Sequence, residues 1–137
     1  MQFSLPHALL VRLRNLRAQR AHPDDVEQSE DAFLLDPGLG PALYLTSTGR
    51  VLVDGRSWDE TPLREATDDE AISALVVGAL KTGLDELLAL VPSPPAGANP
   101  CARCHGRRWE LLGADLHGKP MEIVCTVCRG RGWIGPA

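Results

Sequence analysis

Cysteine is absent from the first 100 residues of this 137-residue chain, and aromatic residues make up only 4% of it. Long apolar runs are also absent: none approaches the roughly 20 residues that a membrane-spanning helix needs, so we expect no membrane partner. The N-terminal stretch MQFSLPHALLVRLRNLRAQR places its arginines after its apolar residues, the reverse of a secretory signal. We therefore expect a cytoplasmic protein.

The sequence also has few of the patterns that carry catalysis. Its four histidines are scattered, and Gly38 and Gly40 precede a predicted strand rather than the helix that a phosphate-binding loop requires. No βαβ pattern flanks the cysteines, which disfavours a thioredoxin-like redox role. We therefore expect the protein not to be an enzyme.

Charge divides the chain into two unlike parts. Residues 1–99 carry 8 Lys/Arg against 15 Asp/Glu, a balance of −7, whereas residues 100–137 carry 6 against 3, a balance of +3. Opposite charge balances favour two modules, and the acidic one disfavours nucleic acid as the partner of the main domain.

The first part contains patterns for both helix and strand. A helix is predicted to begin at Ser4, and two short apolar runs with a turn between them predict a hairpin with strands near 42–46 and 50–54. Thr67 with Glu70 forms a capping box, which predicts a helix from there to Gly83. A second short helix is predicted over 84–91, so the fold class is α+β.

A proline-rich stretch separates this part from the rest. The segment PSPPAGANP (92–100) has four prolines in nine residues, a composition typical of an extended, semi-rigid connection. The predicted organisation is therefore a small acidic α+β domain over 1–92, a linker over 93–100 and a four-cysteine module over 101–137.

All four cysteines stand in two C-x-x-C pairs inside a nine-residue pattern that repeats after 24 residues, CARCHGRRW and CTVCRGRGW. The pairs Cys101/Cys104 and Cys125/Cys128 are separated by 20 residues, the upper end of the spacing found in four-cysteine zinc sites. Four cysteines close the tetrahedral shell that structural zinc prefers. We expect one structural Zn²⁺ ion held by these residues, with Gly106 and Gly130 supplying the turns.

The residues between the pairs predict a small zinc-ribbon-like hairpin. The segments WELL (109–112) and MEIVC (121–125) are predicted strands joined by a turn-rich connection. Trp109 and Trp133 each follow the second cysteine of their pair by five residues, so we expect them at equivalent places covering the site. A region this short buries little apolar area, so metal binding would supply much of its folding free energy.

The repeat resembles the cysteine-rich region of DnaJ-type co-chaperones. CTVCRGRG has the full C-x-x-C-x-G-x-G form of that region, and CARCHGRR has it with Arg108 in place of the last glycine. The co-chaperone region has four such repeats and two zinc ions, so the two repeats here imply one. The resemblance implies a zinc-binding element and not the chaperone activity.

The first 92 residues resemble SUKH-type domains in the order of their elements, a helix, a glycine-rich approach, ALYLTSTGRVLVD and the helix EAISALVVGAL. Such domains often act in bacteria as immunity proteins that bind toxins, which implies an immunity-like or adaptor function with another protein as partner. The candidate partner-binding residues are Arg56, Trp58, Trp109 and Trp133. Nucleic-acid binding through the arginines and tryptophans of the cysteine module is the alternative.

Overall fold

The computed structural model describes residues 1–15, 31–36, 42–55 and 60–135, and within these ranges the chain has the predicted α+β fold. A four-stranded antiparallel sheet and two helices precede two small antiparallel ribbons. None of the helices in these ranges combines the length and apolar character that crossing a bilayer requires.

The main sheet has its strands in sequence order, each antiparallel to the next. They are β1 (Ala32–Asp36), β2 (Ala42–Thr46), β3 (Val51–Gly55) and β4 (Thr61–Glu65). The predicted hairpin is confirmed as β2 and β3, while the two outer strands were not predicted. Neither has a clear strand pattern, since β1 contains no β-branched residue and β4 contains Pro62, which an edge strand tolerates.

The turn between β2 and β3 holds the N-terminal segment. The Phe3 amide donates to the Gly49 carbonyl at 2.8 Å, and Gln2 forms an isolated bridge with Arg50. A Cβ at Gly49 would lie 1.7 Å from the Phe3 carbonyl oxygen, and Gly49 has φ +90°. Only glycine therefore fits at this position.

Two α-helices contribute side chains to the apolar core beside the sheet. Helix α1 (His7–Asn15) directs Leu9 and Leu13 into the core. Helix α2 (Asp68–Thr82) has the predicted capping box of Thr67 and Glu70 and ends at Gly83 in the left-handed conformation. The segment predicted as a second short helix forms a 3₁₀ helix over Asp85–Leu90.

One apolar core joins these elements. Helix α2 contributes Ile72, Leu75 and Val76, which are at most 1% exposed and pack among side chains of α1, the sheet and the 3₁₀ helix. Because these apolar residues recur at helical spacing, one face of α2 is buried along its length.

The C-terminal part forms two short ribbons. Strand β5 (Asn99–Pro100) pairs with β8 (Trp133–Ile134), and β6 (Trp109–Ala114) pairs with β7 (Pro120–Val124). The predicted hairpin is thus present as β6 and β7, slightly longer than expected. The last two residues of the predicted linker form β5, because their backbone pairs with the end of the chain.

Candidate metal centre

The four cysteines converge on one buried point. Their sulfur atoms all lie within 4.8 Å of one another, and no side chain among them is more than 4% exposed. Cys101 Sγ lies 3.8 Å from Cys125 Sγ, and Cys104 Sγ lies 3.7 Å from Cys128 Sγ. These separations are far beyond the roughly 2.05 Å of a disulfide bond, so the thiols are free and form a single possible metal-binding site.

Each cysteine pair lies on a tight turn, which we name the first knuckle (residues 101–108) and the second knuckle (residues 125–132). The backbone carbonyl of the second cysteine in each pair accepts a hydrogen bond from the amide three residues later. The N–O distance is 3.1 Å in the first knuckle and 3.2 Å in the second. The glycines then have φ +86° at Gly106 and φ +90° at Gly130. This left-handed backbone explains why the repeat has glycine at these positions.

The two knuckles are related by an internal pseudo-twofold symmetry. The Cys101 amide donates to the Gly132 carbonyl at 3.0 Å, and the Cys125 amide donates to the Arg108 carbonyl at the same distance. Strand pairing follows the same exchange, since Trp109 pairs with Val124 and Trp133 with Pro100. The repeat in the sequence is therefore a repeat in structure, in which each half holds the other.

Arg108 marks the place where the first knuckle departs from the glycine pattern. It has φ +77°, close to the φ +82° of its counterpart Gly132, so a residue with a side chain stands in the left-handed region. Its guanidinium compensates by donating to the Gly130 and Arg131 carbonyls at 3.2 and 2.7 Å. Arg108 therefore lacks the conformational freedom of glycine, but its side chain adds hydrogen bonds between the two knuckles.

Burial and hydrogen bonds from backbone amides shift the pKa values of the thiols in opposite directions. Burial raises the pKa of Cys125, and it raises the pKa of Cys128 to about 12 although the Gly132 and Gly130 amides donate to that sulfur. At Cys101 burial also opposes ionisation, but the Cys104 and Arg103 amides and the neighbouring thiols donate to the sulfur and lower its pKa to about 7. Amides aimed at sulfur stabilise thiolates, which are the form that ligates a metal.

Every arginine of the knuckles has a partner within the protein. Arg103 forms an ion pair with the nearly buried Glu110 at 3.2 Å. The guanidinium of Arg107 lies 5.1 Å from the centroid of the Trp109 ring and donates to the Cys104 carbonyl. Arg108 donates to backbone carbonyls, and the arginines of the second knuckle, Arg129 and Arg131, pair with Asp69 of α2. All five arginines therefore contribute to the fold.

The second knuckle packs against α2, a contact that the sequence did not indicate. Asp69 in the first turn of α2 accepts from Arg129 at 2.5 Å and pairs with Arg131 at 2.6 Å. These arginines hold the pKa of Asp69 below its usual value, mainly through hydrogen bonds from Arg131 and then Arg129. The Ser73 hydroxyl donates to the Arg129 carbonyl at 3.0 Å. The acidic start of α2 therefore binds the knuckle in addition to favouring the helix dipole.

The tryptophans occupy symmetric positions but different surroundings. Trp109 is partly buried and packs against the main core, as does Val124 opposite it. Trp133 is also partly buried, but it pairs with Pro100 at the edge of the module, and its indole Nε1 has no hydrogen-bond acceptor in the described structure. Trp109 thus joins the module to the main core. The other candidate partner-binding residues, Arg56 and Trp58, lie outside the described residues.

Comparison with known proteins gives no match to the chain among family models, curated proteins or solved structures. The resemblances to the DnaJ-type region and to SUKH-type domains therefore stay predictions. What can be inferred about function rests on the site itself.

Proposed function

We propose that the protein binds another protein without catalysing a reaction, and that its four cysteines hold one structural zinc ion. The observation that carries the zinc assignment is the sulfur arrangement. Tetrahedral zinc with Zn–S near 2.3 Å requires sulfur atoms about 3.8 Å apart, and the two cross-knuckle pairs are 3.8 and 3.7 Å apart. Four thiolates leave no open coordination position, which supports a structural rather than a catalytic ion.

The pairing of the arginines supports one of the two candidate partner classes over the other. Nucleic-acid binding needs cations that are free to neutralise phosphates. Arg103, Arg129 and Arg131 already pair with carboxylates, and Arg107 stacks on Trp109. This engagement reduces the basic surface of the module, so protein binding is the favoured function and nucleic-acid binding the alternative.

Exposed apolar side chains provide further support for a protein partner. Large apolar residues on or near the β6–β7 hairpin are 40 to 102% exposed; they are Leu111, Leu112, Leu116 and Met121. A concentration of exposed apolar side chains in one region is a feature of protein interaction sites. Within protein binding, we propose an immunity-like or adaptor role in the bacterial cytoplasm, supported by the predicted likeness of residues 1–92 to SUKH-type domains.

Metal analysis of the purified protein tests the zinc assignment. We expect about one zinc ion per chain, with Cys104→Ser and Cys128→Ser each abolishing it. A tetrathiolate site could also take iron, so the same measurement includes iron. A correctly folded protein without metal, or one filled with iron alone, would contradict the assignment.

Affinity capture from the host organism, followed by reconstitution with the purified partner, tests the function. We expect a protein partner that binds the zinc-loaded chain directly, and no retention of labelled DNA or RNA. Phosphate-dominated binding weakens steeply with salt. Nucleic-acid retention that falls steeply between low and moderate salt, without a protein partner, would favour the alternative.

A further inference from the structure

The outer part of the β6–β7 hairpin is open to solvent. Every residue from 111 to 122 is exposed, although the segment contains large apolar side chains. On β6 these are Leu111, which is 55% exposed, and Leu112, which is 54% exposed. The strand therefore leaves much of its apolar surface uncovered.

One edge of β6 has no strand beside it. The Cys125 amide donates to the Arg108 carbonyl, and the register of the two strands makes Glu110 the next residue that bonds toward β7. Because alternate residues of an antiparallel strand bond to a given neighbour, Trp109 and Leu111 direct their backbone N–H and C=O groups to the other edge. Within the described ranges, nothing outside the hairpin forms a backbone hydrogen bond with these groups.

The residues of β6 do not protect this edge. Edge strands commonly carry proline or exposed charges, which prevent another chain from pairing with them. The outer strand β4 has such residues in Pro62, Arg64 and Glu65. Strand β6 (WELLGA) contains no proline and no basic residue, and its one charged side chain, Glu110, is 9% exposed and paired with Arg103. The edge is therefore competent to pair with a further strand.

The charges that flank β6 favour a second copy of the chain as that strand. Arg107 precedes Leu111 by four residues, and Asp115 follows it by four. Antiparallel pairing of two copies about Leu111 therefore brings Arg107 of each copy to the same end as Asp115 of the other. Both side chains are exposed and, among the described residues, neither pairs with an opposite charge: Arg107 lies over the Trp109 ring, and Asp115 accepts backbone amides. The edge is thus complementary to itself.

We propose that the protein associates with a second copy of itself by antiparallel pairing of the two β6 edges, which joins the hairpins into one four-stranded sheet. The apolar side chains of β6 supply the contact. The Arg107–Asp115 pairs select the antiparallel orientation and add little affinity, since an exposed ion pair contributes at most about 1 kcal/mol. The inference goes beyond the proposed function, because it requires no other protein, and Leu116 and Met121 of the hairpin lie outside the paired strand.

The size of the strand sets the expected affinity. Strand β6 has six residues, whereas a standard interface has about 20–30 residues on each side. We therefore expect a weak, reversible dimer with a Kd on the order of 100 µM. Sedimentation equilibrium of the zinc-loaded full chain, from about 10 µM to about 1 mM, brackets this value. A monomer throughout that range would overturn the proposal.

The first pair of variants tests the apolar edge. Leu111→Lys places two like charges opposite each other at the centre of the pairing, which is destabilising, so the dimer should weaken about tenfold or more. Leu116→Lys makes the same change at a side chain that is 102% exposed but lies outside β6, and it should leave the Kd unchanged. Equal Kd values for these two variants would refute pairing through β6. Equal zinc content shows that both keep their fold.

The second pair of variants tests the orientation. Arg107→Glu replaces two attractive pairs by two repulsive ones, so it should weaken the dimer about fivefold or more. Lys119→Glu changes the net charge by the same amount at an exposed position on β7's side of the turn, and it should not weaken the dimer. Equal weakening by both would show general repulsion between acidic chains and would refute the antiparallel pairing.

Chemical shifts locate the interface. In ¹⁵N spectra of the full chain, the amide resonances of residues 109–114 should move as the protein concentration rises, whereas those of β4 (Thr61–Glu65) should stay in place. Movement at β4 without movement at β6 would place the dimer elsewhere and overturn the proposal. These measurements use the purified chain alone, so their failure leaves the proposed binding of another protein unaffected.

Discussion

Replacing Gly130 by alanine should destabilise the protein more than the same replacement of its symmetric counterpart Gly106. Both glycines have left-handed backbones, with φ +90° at Gly130 and φ +86° at Gly106. An alanine in that conformation costs about 1–2 kcal/mol at either position. The two replacements therefore share the same backbone penalty and differ only in what the new methyl group meets.

The surroundings of the two methyl groups are unlike. At Gly130 a Cβ would lie 3.0 Å from Val76 Cγ2 and 3.2 Å from Val124 Cγ1, whereas at Gly106 the nearest atom is the Gly132 carbonyl oxygen at 3.9 Å. Overpacking a well-filled contact costs about 1–3 kcal/mol. We therefore expect a loss of about 1–2 kcal/mol for Gly106→Ala and of about 2–5 kcal/mol for Gly130→Ala.

Thermal unfolding of the zinc-loaded proteins measures this difference. For a chain of this size about 1 kcal/mol corresponds to a Tm shift of about 3–4 °C. The Tm of Gly130→Ala should then be about 3–12 °C below that of Gly106→Ala. Metal content must remain equal in both variants. Equal losses of Tm would refute the close packing of Gly130 against Val76 of α2 and Val124 of β7, since these two contacts separate the pair.

Three further perturbations test other contacts. Removing the metal with a chelator should speed amide hydrogen exchange in both knuckles and also in the first turn of α2, because Asp69 is paired with the second knuckle. Unchanged exchange in α2 would show that the main domain is independent of the metal site. Asp69→Asn should lower Tm and should weaken the effect of metal removal on amide exchange in α2. Asp68→Asn, which lies outside the knuckle contact, should leave that effect unchanged. The Arg64 hydrogen bond lowers the pKa of Glu70 to about 2. The stability it adds is therefore full above the unfolded value of about 4.3 and is lost toward pH 2, so the Tm difference between the natural chain and Glu70→Gln should shrink over that range.

Features fixed by short sequence patterns were predicted well. The capping box of Thr67 and Glu70, the β2–β3 hairpin and the convergence of the cysteine pairs each depend on residues at a fixed, short spacing or on a repeat of it. The left-handed glycines of the knuckles belong to the same class. The residues that cause each of these features lie close together in the chain, so a single sequence is sufficient to identify them.

Features that depend on distant partners were missed. Strand β1 has no alternating pattern of its own and is stabilised by its pairing with β2 and by the packing of Phe33 and Leu35 into the core. Asp69 stands in the first turn of a helix, where a carboxylate favours the helix dipole, but its arginine partners lie 60 and 62 positions later in the chain. Neither contact is visible in local spacing, because each arises only when the chain has folded.

The two halves of the repeat have the same backbone but different neighbours. The second knuckle packs against α2 through Gly130 and the Asp69 ion pairs, so its outer surface is used in the fold. The first knuckle has no such contact at Gly106, where the atom nearest to an added Cβ is the Gly132 carbonyl oxygen at 3.9 Å. One nine-residue pattern therefore has an anchoring role in its second copy that its first copy does not share at the equivalent glycine. Both cysteine pairs are needed to complete a four-sulfur site, but the ion pairs with α2 belong to the second knuckle.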